Sequence, residues 1–258
     1  MEGKHDDERE FTIDVGGDRI ACRQRDGDAP GFVWLGGLRS DMDGSKAETM
    51  VDYARELGRA SLRFDYSGHG RSSGDFRDGT ISRWLHDAEA AFALTQGPQI
   101  LVGSSMGAWI ALRLTQNMRA QDRQSRIAAL VLIAPAPDFT SELMEPGFTS
   151  AQRESLARDG FFEEPSEYSD EPMIYTRALI DDGRANRVLA DRLRIDAPVH
   201  IIQGMKDPDV PYSHALRLAG HLVDDDVTMT LVRDGDHRLS RDRDLALLRR
   251  TLAQMSDG

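Results

Sequence analysis

Gln99-Ile100-Leu101-Val102-Gly103-Ser104-Ser105-Met106-Gly107-Ala108 is the stretch that decides the fold. The run through Val102 is short, apolar and β-branched, as a buried strand requires, and an amphipathic helical pattern extends from Met106 to Asn117. Between them lies a G-x-S-x-G turn. So tight a strand-to-helix turn strains the backbone of its central residue, and it needs small residues two before and two after so that the flanking chains can approach. Gly103 and Gly107 meet that need around Ser105.

The same alternation recurs along the chain. Apolar runs at Phe32 to Leu35, Ala60 to Phe64, Ala128 to Ile133, Val199 to Ile202 and Val227 to Val232 read as further strands. Helical patterns at Lys46 to Leu57, Ile81 to Thr95, Tyr212 to Leu222 and Ser240 to Met255 lie between or after them. Phe11 to Cys22, alternating around Gly16 and Gly17, predicts an antiparallel hairpin at a sheet edge. Strands alternating with helices imply an α/β fold, a mostly parallel sheet with helices on both faces. The alternation breaks between Pro137 and Arg194, where Phe139, Phe148, Phe161, Phe162, Tyr168 and Tyr175 are scattered among acids and prolines. A structureless loop of that length is improbable inside a compact domain, so residues 137–194 read as a helical lid over the strand ends. The core is then 1–136 with 195–258.

A serine hydroxyl is a poor nucleophile at neutral pH and needs a base with a group to orient it. Gly204-Met205-Lys206-Asp207-Pro208-Asp209 follows one strand and Arg233-Asp234-Gly235-Asp236-His237 the next, which makes Asp207 the acid and His237 the base, with Asp209 as the alternative acid. Two backbone donors are expected to face the oxygen that becomes negative in a tetrahedral intermediate. They are the N–H of Met106 at the helix start and the N–H of Leu38, which follows Gly36-Gly37. Of the other histidines, His69 in Ser67-Gly68-His69-Gly70 is the one placed to approach a pocket. His5 lies in the terminus, His86, His214 and His221 in helical segments and His200 in a strand. Asp65 reads as a clamp on backbone N–H groups in the turn that follows it. That turn lacks a complete phosphate-binding glycine pattern, and no metal-ligand spacing occurs in the chain. Neither a cofactor nor a metal is expected.

The 258 residues carry a net charge of −12, which gives no drive toward nucleic acid. Only three Lys stand beside 29 Arg, and the Arg are spread along the chain rather than gathered in a stripe. The single cysteine, Cys22, rules out an intrachain disulfide and allows a reducing compartment. Met1 to Glu10 is acidic, without the apolar core of a secretory signal, and no run of 18 apolar residues occurs; a cytoplasmic location without a membrane span is the expectation.

With Ser, Asp and His in that order on those strand ends, the sequence resembles the α/β-hydrolases across essentially its full length. Four stretches resemble, within that superfamily, the mitochondrial abhydrolase group that removes palmitoyl from cysteine and hydrolyses acyl glucuronides. They are Leu35-Gly36-Gly37-Leu38-Arg39-Ser40-Asp41-Met42-Asp43-Gly44-Ser45-Lys46-Ala47, Arg63-Phe64-Asp65-Tyr66-Ser67-Gly68-His69-Gly70, Gly97 to Gly107 and Gly204-Met205-Lys206-Asp207. Ala108 departs from the glycine expected after the elbow, and the lid has no matching motif. The resemblance implies a serine hydrolase with Ser105, Asp207 and His237 as its triad. Its substrates would be small-molecule esters or thioesters, or an acylated protein. Ser105 disfavours the dehalogenases and epoxide hydrolases of this fold, which use an Asp nucleophile. A peptidase or amidase, an acyltransferase and a non-catalytic receptor remain as alternatives, and oligomeric state is not legible.

Overall fold

A computed structural model describes residues 7–165 and 172–256. Its strands are β1 (Arg9–Val15), β2 (Asp18–Arg25), β3 (Asp28–Leu35), β4 (Arg59–Phe64), β5 (Gln99–Ser104), β6 (Ile127–Ile133), β7 (Phe161–Glu164), β8 (Met173–Thr176), β9 (Val199–Gly204) and β10 (Val227–Val232). Its α-helices are α1 (Ser45–Glu56), α2 (Ile81–Phe92), α3 (Met106–Ala120), α4 (Ser150–Arg158), α5 (Arg177–Ala185), α6 (Tyr212–His221) and α7 (Asp242–Ser256). Eight strands form one sheet in the order β1-β2-β4-β3-β5-β6-β9-β10. The β1–β2 hairpin enters antiparallel at one edge, with β2 also antiparallel to β4, and every other pairing is parallel. This is the α/β sheet expected from the alternation, with the architecture that the resemblance to α/β-hydrolases implies.

The period of two along each strand divides the core. Ile100 and Val102 of β5 face the same side as Phe32, Trp34, Val131 and Ile133, where α1 and α7 bring Met50, Val51, Leu248 and Leu252. Leu101 faces the other side with Val33, Leu35, Leu130, Leu132 and Ile201, covered by Trp84 of α2, Trp109 of α3 and Leu218 of α6. Burial on both faces is why these strands read as continuous apolar runs. All six residues of β5 and of β9 are buried. Every parallel strand ends at the same sheet edge, and the loops there carry the chemistry.

The segment between β6 and β9 differs from the expected helical insertion. It contains a π-helical turn (Thr140–Met144), a 3-10 turn (Glu145–Gly147), α4 and α5, but also a two-stranded antiparallel sheet of β7 and β8. Aromatic packing makes the hairpin: Phe162 and Tyr175 stack with centroids 4.7 Å apart, and Phe148 meets both rings edge-on at 5.0 and 5.7 Å. Each strand has four residues, too few for a periodic signal, and Glu163 and Glu164 break the apolar pattern of β7. Tyr168, counted among the lid aromatics, lies outside the described residues, as does His5.

Both ends of this segment are tied to one carboxylate. Asp138 is fully buried and accepts hydrogen bonds from the backbone N–H groups of Val188 (2.8 Å) and Leu189 (2.9 Å). His214 of α6 donates through Nε2 to the Pro137 carbonyl at 2.7 Å. On the other side, Arg77 pairs with Glu163 at 3.0 Å and Arg39 donates to the Pro172 carbonyl, joining the hairpin to the loops after β4 and β3.

Candidate active site

Ser105 occupies the turn between β5 and α3 with φ 54° and ψ −115°, a conformation that non-glycine residues rarely adopt. Close approach explains both flanking glycines. A Cβ on Gly107 would lie 1.9 Å from the Leu35 carbonyl oxygen, and one on Gly103 would lie 2.6 Å from that of Gly107. Both distances are far inside contact, so any side chain there must displace backbone. The turn is also anchored to β6, with the Ser105 N–H donating to Ile133 O at 2.9 Å.

His237 and Asp207 arrive from the loops after β10 and β9. The His237 ring spans the gap between the other two side chains, Nδ1 lying 2.8 Å from Asp207 Oδ2 and Nε2 lying 3.1 Å from Ser105 Oγ. The Asp207 side chain is fully buried. Its Oδ1 accepts the N–H groups of Asp209 (2.9 Å) and Val210 (2.8 Å), and its Oδ2 also accepts Gln203 Nε2 at 3.1 Å. A carboxylate so furnished with donors is fixed in angle, and its bond to His237 sets the imidazole tautomer with its proton on Nδ1 and a free electron pair on Nε2. Asp209, the alternative acid, supplies a backbone donor to Asp207 rather than a carboxylate to His237 Nδ1. Gly204 permits the two loops to meet, since a Cβ there would fall 2.5 Å from Gly235 O.

The turn carrying Leu38 lies against the serine: a Cβ on Gly37 would be 3.5 Å from Ser105 Cβ. Ser40 returns to the Gly37 carbonyl through its N–H (3.2 Å) and its hydroxyl (2.7 Å), and Arg39 adopts a positive φ of 57°. Among the described residues, no protein acceptor engages the N–H of Leu38 or of Met106. Two unclaimed donors beside a serine hydroxyl suit a developing oxyanion.

Two residues that the sequence reading did not single out support the site. Gln203 is fully buried at the end of β9 and also donates to the carbonyls of Gly204 (3.0 Å) and Val210 (3.1 Å), closing the acid loop. Its signal was a polar residue directly after the apolar pair Ile201-Ile202, near the end of β9. Asp87 accepts from both the N–H (2.8 Å) and the hydroxyl (2.7 Å) of Ser67, bracing the turn after β4 from α2. Asp65 braces the same turn from within, accepting from the N–H groups of Met42 (2.7 Å) and Arg71 (2.8 Å). His69 packs edge-on against Tyr66, Phe76 and Trp84, with Nδ1 3.1 Å from the Ser67 carbonyl. Burial lowers its pKa to about 4, so it is neutral at pH 7. It belongs to the packing of the turn.

Asp207, Asp209 and His237 also place one potential ligand atom each within 4.8 Å of one another. The electron pairs a cation would need are already engaged. Nδ1 carries the proton shared with Asp207, and Oδ1 of Asp207 faces two backbone donors. The donor set fits a hydrogen-bonded pair better than a metal.

Residues 29–250 match the sequence profile of the alpha/beta hydrolase family. The mouse palmitoyl-protein thioesterase ABHD10, mitochondrial, is 33% identical over 240 residues, covering 92% of this chain and 79% of its own. Among solved structures, a protein of Agrobacterium vitis S4 assigned as a hydrolase superposes with a TM-score of 0.94 at 54% identity, covering 96% of this chain and 99% of that one. The alpha/beta hydrolase domain-containing protein 10 from mouse superposes with a TM-score of 0.85 at 29% identity, covering 96% and 98%. With a family match over residues 29–250, a sheet of the right order and relatives aligned over most of their length, the chain belongs to the alpha/beta hydrolase family.

Proposed function

We propose that this hydrolase is a serine enzyme that cleaves carboxylic esters or thioesters through an acyl-enzyme. The observation that carries the reading is the continuous line from Asp207 through His237 to Ser105 Oγ, at 2.8 and 3.1 Å, ending on a strained elbow. Ser105 Oγ attacks the acyl carbon as His237 Nε2 takes its proton, and Asp207 holds the imidazolium that results. The N–H groups of Leu38 and Met106 receive the oxyanion, each such donor being worth about 3 to 4 kcal/mol in a transition state. His237 then returns the proton to the leaving alcohol or thiol. Water, deprotonated by the same imidazole, releases the acid and restores Ser105. No cofactor is needed.

Residues 137–194 would form the lid, set on the core of 1–136 and 195–258. The ties of Arg39 and Arg77 to the β7–β8 hairpin support that reading, because both arginines lie on loops at the carboxyl ends of parallel strands. The rings of Phe148, Phe162 and Tyr175 give this segment an apolar interior suited to an acyl chain. Names of the relatives point to acyl-protein thioesters as one substrate class. We also place the chain in the cytoplasm. Its lone cysteine is buried, with burial raising its pKa to about 12, and no helix among the described residues is long and apolar enough to cross a membrane. Fractionation of tagged cells checks the compartment.

The test of function is a hydrolysis panel of p-nitrophenyl esters of rising chain length, acyl thioesters, acyl glucuronides and aminoacyl amides. Turnover of esters and thioesters is expected; turnover confined to the amides would make the enzyme a peptidase or amidase. Acyl transfer to an added alcohol or amine in preference to water would make it an acyltransferase.

A further inference from the structure

Lys46 is one of three lysines in the chain, and its position is costly in two ways. It sits in the first turn of α1, directly after Ser45, where the helix dipole favours a carboxylate over an ammonium. Its side chain is also half-buried. Desolvation lowers its pKa to about 8, aided by Arg238 and opposed by Asp236 and Asp244. Its donors go to a single place. Nζ donates to the carbonyl of Arg238 and lies 3.5 Å from Ser240 Oγ, which donates to the same carbonyl at 2.9 Å.

Arg238 directly follows His237. The loop around them is bent sharply: Leu239 has φ 46°, and its N–H donates to Asp236 Oδ1 at 2.9 Å, so that the backbone folds over on either side of the histidine. On its amino-terminal side the loop is held by Lys206 N–H donating to Gly235 O at 2.9 Å. On its carboxyl-terminal side, Lys46 ties the loop from outside, reaching it from the helix that follows the Leu38 turn.

We propose that Lys46 is a positioning residue for His237, coupling the loop that carries the base to the loop that carries the oxyanion donor. This rests on the catalytic reading above. By fixing the peptide after His237, Lys46 sets the angle at which Nε2 meets Ser105 Oγ, and an offset of about 1 Å at such a contact lowers turnover roughly a hundredfold. Lys46 touches no reacting atom, so its loss acts on kcat and leaves KM nearly unchanged. Arginine at this position keeps the charge and the donors, and restores part of the lost rate.

The test pairs kinetics with NMR of the His237 imidazole in wild type, Lys46→Met, Lys46→Arg and Ser240→Ala. Lys46→Met should lower kcat for p-nitrophenyl butyrate about 10- to 100-fold with KM within twofold. It should also broaden or shift upfield the Nδ1 proton resonance of His237. Lys46→Arg should recover most of that resonance and part of kcat, and Ser240→Ala should show a smaller loss. A Lys46→Met protein with the wild-type His237 resonance overturns the proposal, as does one in which kcat and KM fall together with thermal stability and arginine brings no rescue. If wild type hydrolyses no ester yet Lys46→Met still perturbs the His237 resonance, the positioning role stands and the serine-hydrolase reading fails.

Discussion

The elbow frame and the 137–194 insertion are held by different kinds of force, and the proposed function gives the first the chemistry and the second the selectivity. Around Ser105, Asp207 and His237 the constraints are largely backbone against backbone: Gly107 beneath the Leu35 carbonyl, Gly204 against Gly235, and two main-chain donors on Oδ1 of Asp207. Such contacts leave no room for a side-chain change. The insertion is held by side chains, through the ring cluster of Phe148, Phe162 and Tyr175 and through ion pairs such as Arg77–Glu163, Arg184–Glu145 and Arg187–Glu142. Exposed ion pairs are each worth about 0 to 1 kcal/mol, so this region can be remodelled at little cost to the frame. If the proposed function holds, one scaffold would keep a reaction while its insertion changes substrate.

The comparison can be broken most sharply at the acid loop. Asp207→Asn should lower kcat by about three to four orders of magnitude, because the amide cannot hold the productive imidazole tautomer or its charge. Asp209→Asn, which keeps its backbone donor to Asp207, should stay within about tenfold of wild type. Steady-state kinetics on one short ester decide it, and the reverse order would transfer the acid role to Asp209.

An intermediate effect is expected in the insertion. Phe162→Ala empties the centre of the ring cluster, a truncation that costs about 3 to 5 kcal/mol when the cavity stays open. Because the hairpin is held separately from the elbow, the loss should appear as a rise in KM for long-chain esters, with kcat for an acetyl ester within about threefold. A collapse of acetyl-ester turnover would show that the two regions are not independent.

The smallest effect is on stability. His69 has a folded pKa of about 4, lowered by burial, against an unfolded value of about 6.5. The folded state therefore binds fewer protons than the unfolded chain between those values. The stability it contributes is fully present above pH 6.5 and lost as pH falls toward 4, by about 3 kcal/mol at most. Thermal melts of wild type and His69→Gln across that window should converge as pH falls. A gap that stays constant would mean that His69 titrates normally.

Legibility in the sequence followed the same division. The strands of the large sheet were readable because burial on both faces leaves uninterrupted apolar runs such as Ile127–Ile133, and Gly103 and Gly107 were readable because only a close approach demands them. The β7–β8 hairpin was not, because its strands pair through Phe162 and Tyr175, thirteen residues apart, with nothing local to mark them. Gln203 and Lys46 escaped for a related reason. Each acts by placing a side-chain donor that only the folded chain aims, Gln203 on Asp207 in the loop that follows its own strand and Lys46 on Arg238 once α1 and β10 have been brought together.

The central claim is that Ser105 is the nucleophile, primed by His237 and Asp207. Its most direct test is reaction of the folded protein with a fluorophosphonate probe, with the adduct located by peptide mass spectrometry. One adduct per chain is expected, on Ser105, absent from Ser105→Ala and strongly slowed in Asp207→Asn. Folded wild type that stays unlabelled, or that carries the adduct on another residue, would contradict it.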